Sequence, residues 1–168
     1  LPVLANDYFV KGVSPKAAEN ILNGQNACYE VYETADGRYI SIGAIEPHLW
    51  ANFCDAIGKE EFKLWQRDLT KQDEMFACLR EMFKSKTQAE WIEKLTGVDC
   101  CWAPVKNLEE VFADPQVLAR DMVYEMTDPA GCYGSVKMIG SAVKLSETPA
   151  RQELSRPRNG ENKAEYHK

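Results

Sequence analysis

Glu46 is the acidic residue whose position most suggests a chemical role. It follows a strand-like run that ends at Gly43, and it directly precedes Pro47, which can open a helix. A side chain at the end of a strand is often presented to a cleft, which makes Glu46 a candidate for catalysis. On spacing alone a simpler interpretation is favoured, in which the carboxylate complements the exposed N–H groups and the dipole at the helix start.

Histidines are too few to build a catalytic pair within this chain. The sequence contains only His48, two residues after Glu46, and His167, in the charged C-terminal stretch. For His48 the ordinary expectation is a solvated or hydrogen-bonded imidazole at a helix start. Catalysis by an imidazole would therefore need a partner from outside this chain.

The cysteines indicate buried thiols rather than disulfides or metal ligands. Their contexts are apolar or strand-like, without the dense spacing of small secreted proteins, so we expect reduced thiols in a core. Cys100 and Cys101 are adjacent, and successive side chains of a strand point to opposite faces, which makes shared metal ligation awkward. We therefore predict no metal site. The six residues are Cys28, Cys54, Cys78, Cys100, Cys101 and Cys132.

Composition and missing motifs exclude several classes of function. The 168 residues carry 20 Lys and Arg against 26 Asp and Glu, a net charge of −6, so we expect no nucleic-acid partner. No apolar stretch approaches the roughly 20 residues that a membrane span needs. The patterns GxGxxG, GxxxxGK[ST], GxSxG and CxxC are absent, which argues against dinucleotide, P-loop, serine-hydrolase and zinc-ribbon chemistry.

The clearest local pattern is a β-hairpin. Aromatic and β-branched residues dominate residues 27–34 and 39–43, and Asp36-Gly37 between them is a turn signal. Tyr29 and Tyr32 lie three apart in the first strand and so point to opposite faces. Core packing is the default expectation for both rings.

Helices and further short strands are predicted around this hairpin. Together they favour a small α+β fold over a doubly wound parallel sheet. The charged residues 151–168 are expected to be disordered or to be ordered on the surface of a partner. Helices are predicted at 14–24, from Pro47 to Gly58, at 73–84, from a Thr87 capping box to Gly97, after Asn107 and after Asp114, and extended segments at 98–105, 122–126, 136–139 and 142–145.

Residues 32–47 (YETADGRYISIGAIEP) strongly resemble a segment of the α-methylacyl-CoA racemases, which belong to the family III (CaiB/BaiF type) CoA-transferase superfamily. Residues 21–24, 103–117 and 143–150 fit the same family in the same order. The resemblance covers nearly everything from residue 20 to residue 150.

This resemblance implies a large Rossmann-like domain built from both chain ends, an inserted small α+β domain, and a homodimer of interlocked subunits. The present sequence would be the C-terminal half. Residues 1–27 would form a linker and helix from the large domain, residues 28–101 the small domain, and residues 102–150 a return segment. The half that carries most of the CoA-binding surface, with the family's catalytic histidine and aspartate, would be missing.

The resemblance also implies roles for two residues. Racemases of this family move the proton on the carbon α to a thioester, and a glutamate in the GAIEP segment of the other subunit orients the histidine base. Glu46 matches that glutamate, and Tyr29 matches an aromatic position that lines the acyl pocket. His48 departs from the Gln or similar residue common after the EP pair, so its role stays open. CoA is part of the substrate, and we expect no separate cofactor.

Three functional hypotheses follow. The first is the C-terminal part of an acyl-CoA racemase, an isomerase of lipid metabolism that epimerises 2-methylacyl-CoA. The second is a CoA-transferase of the same family, in which an aspartate attacks the thioester. Transferases usually carry a glycine-rich loop near residues 43–46, and GAIE is not that loop, which favours the racemase. The third is that this chain alone is an inactive module that associates with a partner.

The chain ends bear on where the protein resides. Residues 1–10 begin with Leu1 and lack the basic flank and apolar centre of a signal peptide, so we expect a processed or shortened chain. The expected location is intracellular, either cytoplasmic or mitochondrial. The C-terminal Tyr166-His167-Lys168 is not a Ser-Lys-Leu type ending, so a peroxisomal address is not supported.

Overall fold

The structure is a computed structural model that describes residues 2–14, 16–127 and 134–150. These residues form an α+β fold, as predicted, in two compact units that divide between Val105 and Lys106. The elements of the first unit are α1 (Pro2–Lys11), β1 (Tyr29–Glu33), β2 (Tyr39–Gly43), α2 (Pro47–Ile57), α3 (Phe62–Trp65), a 3-10 turn (Leu69–Lys71), α4 (Gln72–Lys84), α5 (Gln88–Leu95) and β3 (Trp102–Pro104). Those of the second are α6 (Leu108–Phe112), α7 (Pro115–Ala119), β4 (Val123–Thr127) and β5 (Ser135–Ile139).

The predicted hairpin is confirmed. Strands β1 and β2 pair antiparallel, with Tyr29 opposite Gly43 at one end of the ladder. At the other end the turn includes Gly37, whose φ of 72° is a left-handed conformation that glycine adopts without steric cost. Strand β3 joins the free edge of β2, also antiparallel, with Ile42 opposite Trp102. The expected extended segment 98–105 thus forms a strand over three of its residues.

A hydrophobic core forms between the inner face of this sheet and the helices. Helix α2 contributes one apolar face to this core, since Trp50, Phe53, Cys54 and Ile57 are all buried. Alternation along the strands places other side chains in the same core. The buried strand residues are Tyr32, Ile40 and Ile42, and those of α4 and α5 are Met75, Phe76, Leu79, Phe83, Trp91 and Leu95.

The helix ends lie where capping chemistry predicts them. Gly58, with φ 70°, ends α2 and donates its N–H to the carbonyls of Asp55 and Cys54. At the start of α5 Thr87 and Glu90 form a reciprocal capping box, as expected from their spacing. Local signals therefore fix the end of α2 and the start of α5.

The helix predicted from Ser14 to Gly24 is wrong. Residues 16–24, as the structure describes them, form turns, in which the Asn20 N–H donates to the side-chain oxygen of Asn23 at 2.8 Å. The Asn20 side chain in turn accepts from the Leu22 N–H at 3.0 Å. Asparagine side chains that capture backbone N–H groups in this way compete with helix formation. The helix of this region is α1, which the sequence analysis did not anticipate.

The second unit combines two capped short helices with a strand pair. Asn107 and Asp114 cap α6 and α7, as predicted. Strands β4 and β5 pair antiparallel, with Val123 opposite Ile139. The extended segment expected at residues 142–145 does not form a strand. The disorder expected for residues 151–168 concerns a segment outside the described part of the chain.

Within the described residues, every helix is too short or too polar to cross a membrane.

Candidate functional site

Glu46 lies where the chain leaves β2 and enters α2. Its backbone is extended, with φ −71° and ψ 135°, and its carbonyl accepts the first helical hydrogen bond from the Trp50 N–H at 3.1 Å. Its side chain is exposed and caps no N–H of the helix. The capping role that spacing alone favoured is therefore not found, and the carboxylate is open to an outside partner.

The backbone before Glu46 makes a tight bend with all its polar groups paired. The Ala44 N–H donates to the Cys28 carbonyl at 2.9 Å, and the Ile45 N–H donates to the Gly43 carbonyl at 3.0 Å. These two bonds satisfy the N–H groups of Ala44 and Ile45, and the first of them ties the bend to the chain just before β1.

The carbonyls of the bend are paired by a single side chain. Gln66 directs its Nε2 at the Ala44 oxygen, at 3.0 Å, and at the Ile45 oxygen, at 2.9 Å. Gln66 is only 7% exposed and follows directly on α3. The sequence analysis missed this residue, because an isolated glutamine carries no motif that would reveal its partners.

A groove lies next to Tyr29, on the other side of the sheet from the core. Its volume is about 570 Å³. Tyr32 is buried in the core, as predicted, whereas Tyr29 is half-buried and lines the groove, so core packing of both rings is wrong. The lining comprises two chain segments besides β1 and β2, and includes Leu22, Asn23, Gly24, Val31, Ser41, Gly43, Cys101 and Ala103.

Tyr29 and Glu46 belong to the same end of the sheet. Tyr29 is paired with Gly43, the last residue of β2, and Glu46 is three residues further along the chain. A Cβ on Gly43 would lie 3.8 Å from the Tyr29 ring and 3.4 Å from the Cys101 sulfur. The small residue at this point keeps that end of the groove open beside the ring.

The five described thiols differ in exposure, and Cys78 is only partly buried. Cys28, Cys54 and Cys100 are buried, as expected for core cysteines. Burial raises the pKa of the Cys54 thiol to about 12 and that of Cys100 to about 11, so both remain protonated near neutral pH. Cys101 is exposed beside the groove, with a φ of 50°, so the expectation of a buried thiol is wrong for this residue. Cys132 lies outside the described residues.

Two further expectations concern imidazoles and metals. His48 is exposed in the first turn of α2, and His167 lies in the part of the chain that is not described. Across residues 2–14, 16–127 and 134–150, no group of three or more His, Cys, Asp and Glu side chains is placed to hold a metal ion.

Comparison with known proteins places these features in a family. The model of CoA-transferase family III matches residues 2–163. An acyl-CoA transferase of Fusarium pseudograminearum is 34% identical over 145 residues, which are 83% of this chain and 32% of that protein. An α-methylacyl-CoA racemase of Mus musculus is 38% identical over 95 residues, which are 56% of this chain and 25% of that protein.

A solved structure shares the fold. The crystal structure of a CAIB/BAIF family protein from Brucella suis has a TM-score of 0.66 and 23% identity, and the match covers 98% of this chain and 43% of that one. The chain therefore spans a third or less of the two curated relatives and under half of the solved one. Since the family model matches nearly all of its residues, this protein belongs to CoA-transferase family III.

Proposed function

We propose that the full-length protein is an acyl-CoA racemase, an isomerase that epimerises 2-methylacyl-CoA thioesters. The observation that carries the proposal is the exposed carboxylate of Glu46, which caps no helix N–H and follows a bend held by hydrogen bonds. The likeness to the mouse racemase, at 38% identity over 95 residues, supports the same activity. CoA enters as part of the substrate, and proton transfer of this kind uses no separate cofactor.

The reaction moves one proton on and off the α-carbon. A base on one face removes the α-proton, and the electron pair of the C–H bond passes to the thioester carbonyl to form an enolate. An acid on the opposite face then returns a proton to the α-carbon, which inverts its configuration. By the family resemblance, the two groups are a histidine and an aspartate supplied from outside these 168 residues.

Glu46 acts on the histidine rather than on the substrate. Its carboxylate accepts a hydrogen bond from one imidazole nitrogen, which fixes the tautomer and leaves the other nitrogen to take the α-proton. The negative charge also favours the imidazolium form and so raises the basicity of the ring. The histidine belongs to the partner subunit of an interlocked homodimer, which is why the exposure of Glu46 matters.

Tyr29 contributes to substrate binding in this proposal. Its half-buried ring forms one wall of the groove of about 570 Å³, at the same end of the sheet as Glu46. Contact with this ring would remove apolar surface of an acyl chain from water, and this burial favours binding.

The test is the variant Glu46→Gln in the full-length protein. The amide keeps the shape but cannot stabilise an imidazolium, so exchange of solvent deuterium into the α-position of 2-methylacyl-CoA should fall by about 100-fold or more. His48→Gln, an exposed change two residues away, is the matched control and should leave exchange intact. Unchanged exchange in the Glu46 variant would remove this residue from the mechanism.

A CoA-transferase is the second candidate, since the Fusarium acyl-CoA transferase matches more of this chain than the racemase does. In that reaction an aspartate carboxylate attacks the thioester carbonyl, which forms a mixed anhydride and releases CoA thiolate. The thiolate attacks the aspartyl carbonyl and frees the first acid, and the second acid then displaces the thiolate to form a second anhydride. Attack of the thiolate on the second acyl carbonyl gives the new thioester and frees the aspartate. Measuring both deuterium exchange and CoA transfer to a free acid distinguishes the racemase from the transferase. Transfer of CoA to a free acid, without deuterium exchange at the α-carbon, would overturn the racemase proposal.

The third candidate concerns the 168-residue chain by itself. With one histidine outside the C-terminal stretch, it offers no pair of bases for the two faces of an α-carbon. We therefore expect the isolated chain to associate with a partner and to catalyse no reaction. Deuterium exchange catalysed by the isolated chain would contradict this.

A further inference from the structure

Gln66 is placed to control the position of Glu46. An amide –NH₂ group has two hydrogens, and the two Nε2 contacts of Gln66, at 3.0 and 2.9 Å, go to the carbonyls of Ala44 and Ile45. These are the two residues immediately before Glu46. Nε2 therefore bridges consecutive peptide groups of the bend from which the carboxylate projects.

Gln66 is itself held in place by buried amides. Its backbone carbonyl accepts from Asn26 Nδ2 at 3.2 Å and lies 3.4 Å from Gln72 Nε2. Gln72 also donates to the Asp68 carbonyl at 2.9 Å, and its Oε1 accepts the Ala27 N–H at 2.9 Å. The chain that carries Gln66 is thus tied both to the segment before β1 and to the start of α4.

The amides and carbonyls of this bridge are largely buried, so they depend on one another for hydrogen bonds. Asn26, Gln66 and Gln72 are 3%, 7% and 5% exposed, and Ala44 is fully buried. A buried carbonyl that loses its donor must find another or be exposed to water, so the bend would shift once the amide is removed.

We propose that Gln66 is a positioning residue of the active site, which holds the 44–46 backbone so that the Glu46 carboxylate meets the imidazole of the partner subunit. This inference rests on the proposed function. Gln66 touches neither substrate nor reacting atoms; it acts through the peptide groups that carry Glu46. A displacement of about 1 Å at a positioned group can cost on the order of 100-fold in rate.

The chain offers a matched control for this proposal. Gln88 is 4% exposed, and its Nε2 also bridges two backbone carbonyls, those of Tyr39 at 2.7 Å and Val105 at 3.2 Å. Tyr39 is at the opposite end of β2 from the bend. Gln66 and Gln88 therefore have the same chemistry and similar burial, but only Gln66 contacts the residues before Glu46.

The experiment compares Gln66→Met and Gln88→Met in the full-length protein. Both changes remove a bridging amide, so both should lower the thermal midpoint. Only Gln66→Met should lower kcat for α-proton exchange, by about tenfold or more, with KM within about twofold of the unchanged enzyme. If both variants lose kcat equally, or neither does, the positioning role is overturned.

A double-mutant cycle separates positioning from a loss of fold. If Gln66 acts through Glu46, adding Gln66→Met to Glu46→Gln should reduce kcat by less than about twofold further. Multiplicative losses would overturn the proposal. Should Gln66→Met fail to fold, Gln66→Asn keeps the –NH₂ group on a side chain one methylene shorter, and a lowered kcat with near-normal KM is expected there too.

The outcomes also distinguish this inference from the proposed function. If Glu46→Gln retains full exchange, the proposed mechanism fails and the role of Gln66 fails with it. If Glu46→Gln loses exchange while Gln66→Met behaves like Gln88→Met, the mechanism stands and only the inference about Gln66 fails.

Discussion

Asp36 shows how one exposed carboxylate can tie a turn to a helix. It accepts the hydroxyl of Thr34 at 2.5 Å and the backbone N–H of Gln88, the first residue of α5, at 3.1 Å. The hydrogen bond from Thr34, followed by the smaller contribution of the Gln88 N–H, lowers the pKa of Asp36 below its ordinary value. These bonds link the tip of the hairpin to the helix that follows it much later in the chain.

This link should depend on pH. Because the pKa of Asp36 is lowered in the folded protein, its stabilising contribution is present above the unfolded pKa and is lost as the pH falls through the folded pKa. Asp36→Ala should therefore reduce the free energy of unfolding at pH 7, and the difference from the unchanged chain should shrink towards about pH 3. Urea unfolding at the two pH values measures this. For the control Glu93→Ala, on the exposed surface of α5, the difference in unfolding free energy from the unchanged chain should be the same at both pH values.

At the scale of elements, Phe83 joins helices α4 and α5 to the sheet. Its ring stacks on Tyr32 of β1, with centroids 4.8 Å apart and an angle of 9°, and lies 4.6 Å from the ring of Trp91. Trp91 also donates its indole N–H to the Phe83 carbonyl at 3.0 Å. One fully buried residue thus serves three secondary-structure elements at once.

Removal of this ring should destabilise the whole first unit. Phe83→Ala leaves a cavity among rigid aromatic neighbours, and the expected loss is about 3–5 kcal/mol in the free energy of unfolding. Leu64→Ala, at a side chain that is 88% exposed, is the control and should change it by less than about 0.5 kcal/mol. Urea denaturation of both variants makes the comparison. Equal losses of unfolding free energy in the two variants would show that the Phe83 ring contributes no special stability to the core.

The elements that can be predicted from the sequence are those marked by turn or capping residues close by in the chain. Gly37 and Gly58 mark a turn and a helix end, and Thr87 reveals its helix through Glu90, three residues away. The same signals predict the hairpin and helices α2, α4, α5, α6 and α7, but not the short helix α3. They do not reveal a residue whose partners are distant in the chain. The role of Gln66 depends on its hydrogen bonds to carbonyls that lie 22 and 21 residues earlier in the chain.

At the scale of the whole molecule, the proposed site is shared between subunits. Glu46 is exposed in this chain, and the histidine that it would orient belongs to the partner in the proposed interlocked dimer. A catalytic unit of this kind contains residues from two chains, so damage in one chain can be complemented by the other.

Complementation should therefore restore activity in mixed dimers. We expect two inactive full-length variants, Glu46→Gln and a change of the family's catalytic histidine, to regain deuterium exchange when co-expressed. Half of the randomly formed dimers are mixed, and each has one intact site of two, so about a quarter of the normal activity should return. Each variant expressed alone is the control. No recovery in mixed dimers would show that Glu46 serves its own subunit.

The amide of Gln88 bonds the first residue of the central strand β2, Tyr39, and the amide of Gln66 bonds the bend that follows its last residue. On that face, Val31 of β1 is 49% exposed, and Ser41 of β2 faces the groove beside it. Val31 can change in size with no loss of these amide bonds, whereas a change of Ser41 removes the hydrogen bond that its hydroxyl donates to the Ala103 carbonyl of β3 at 3.0 Å. In the proposed racemase, the preference for longer or shorter acyl groups can therefore change through substitutions on this face, while Glu46 and the bend that carries it stay unaltered.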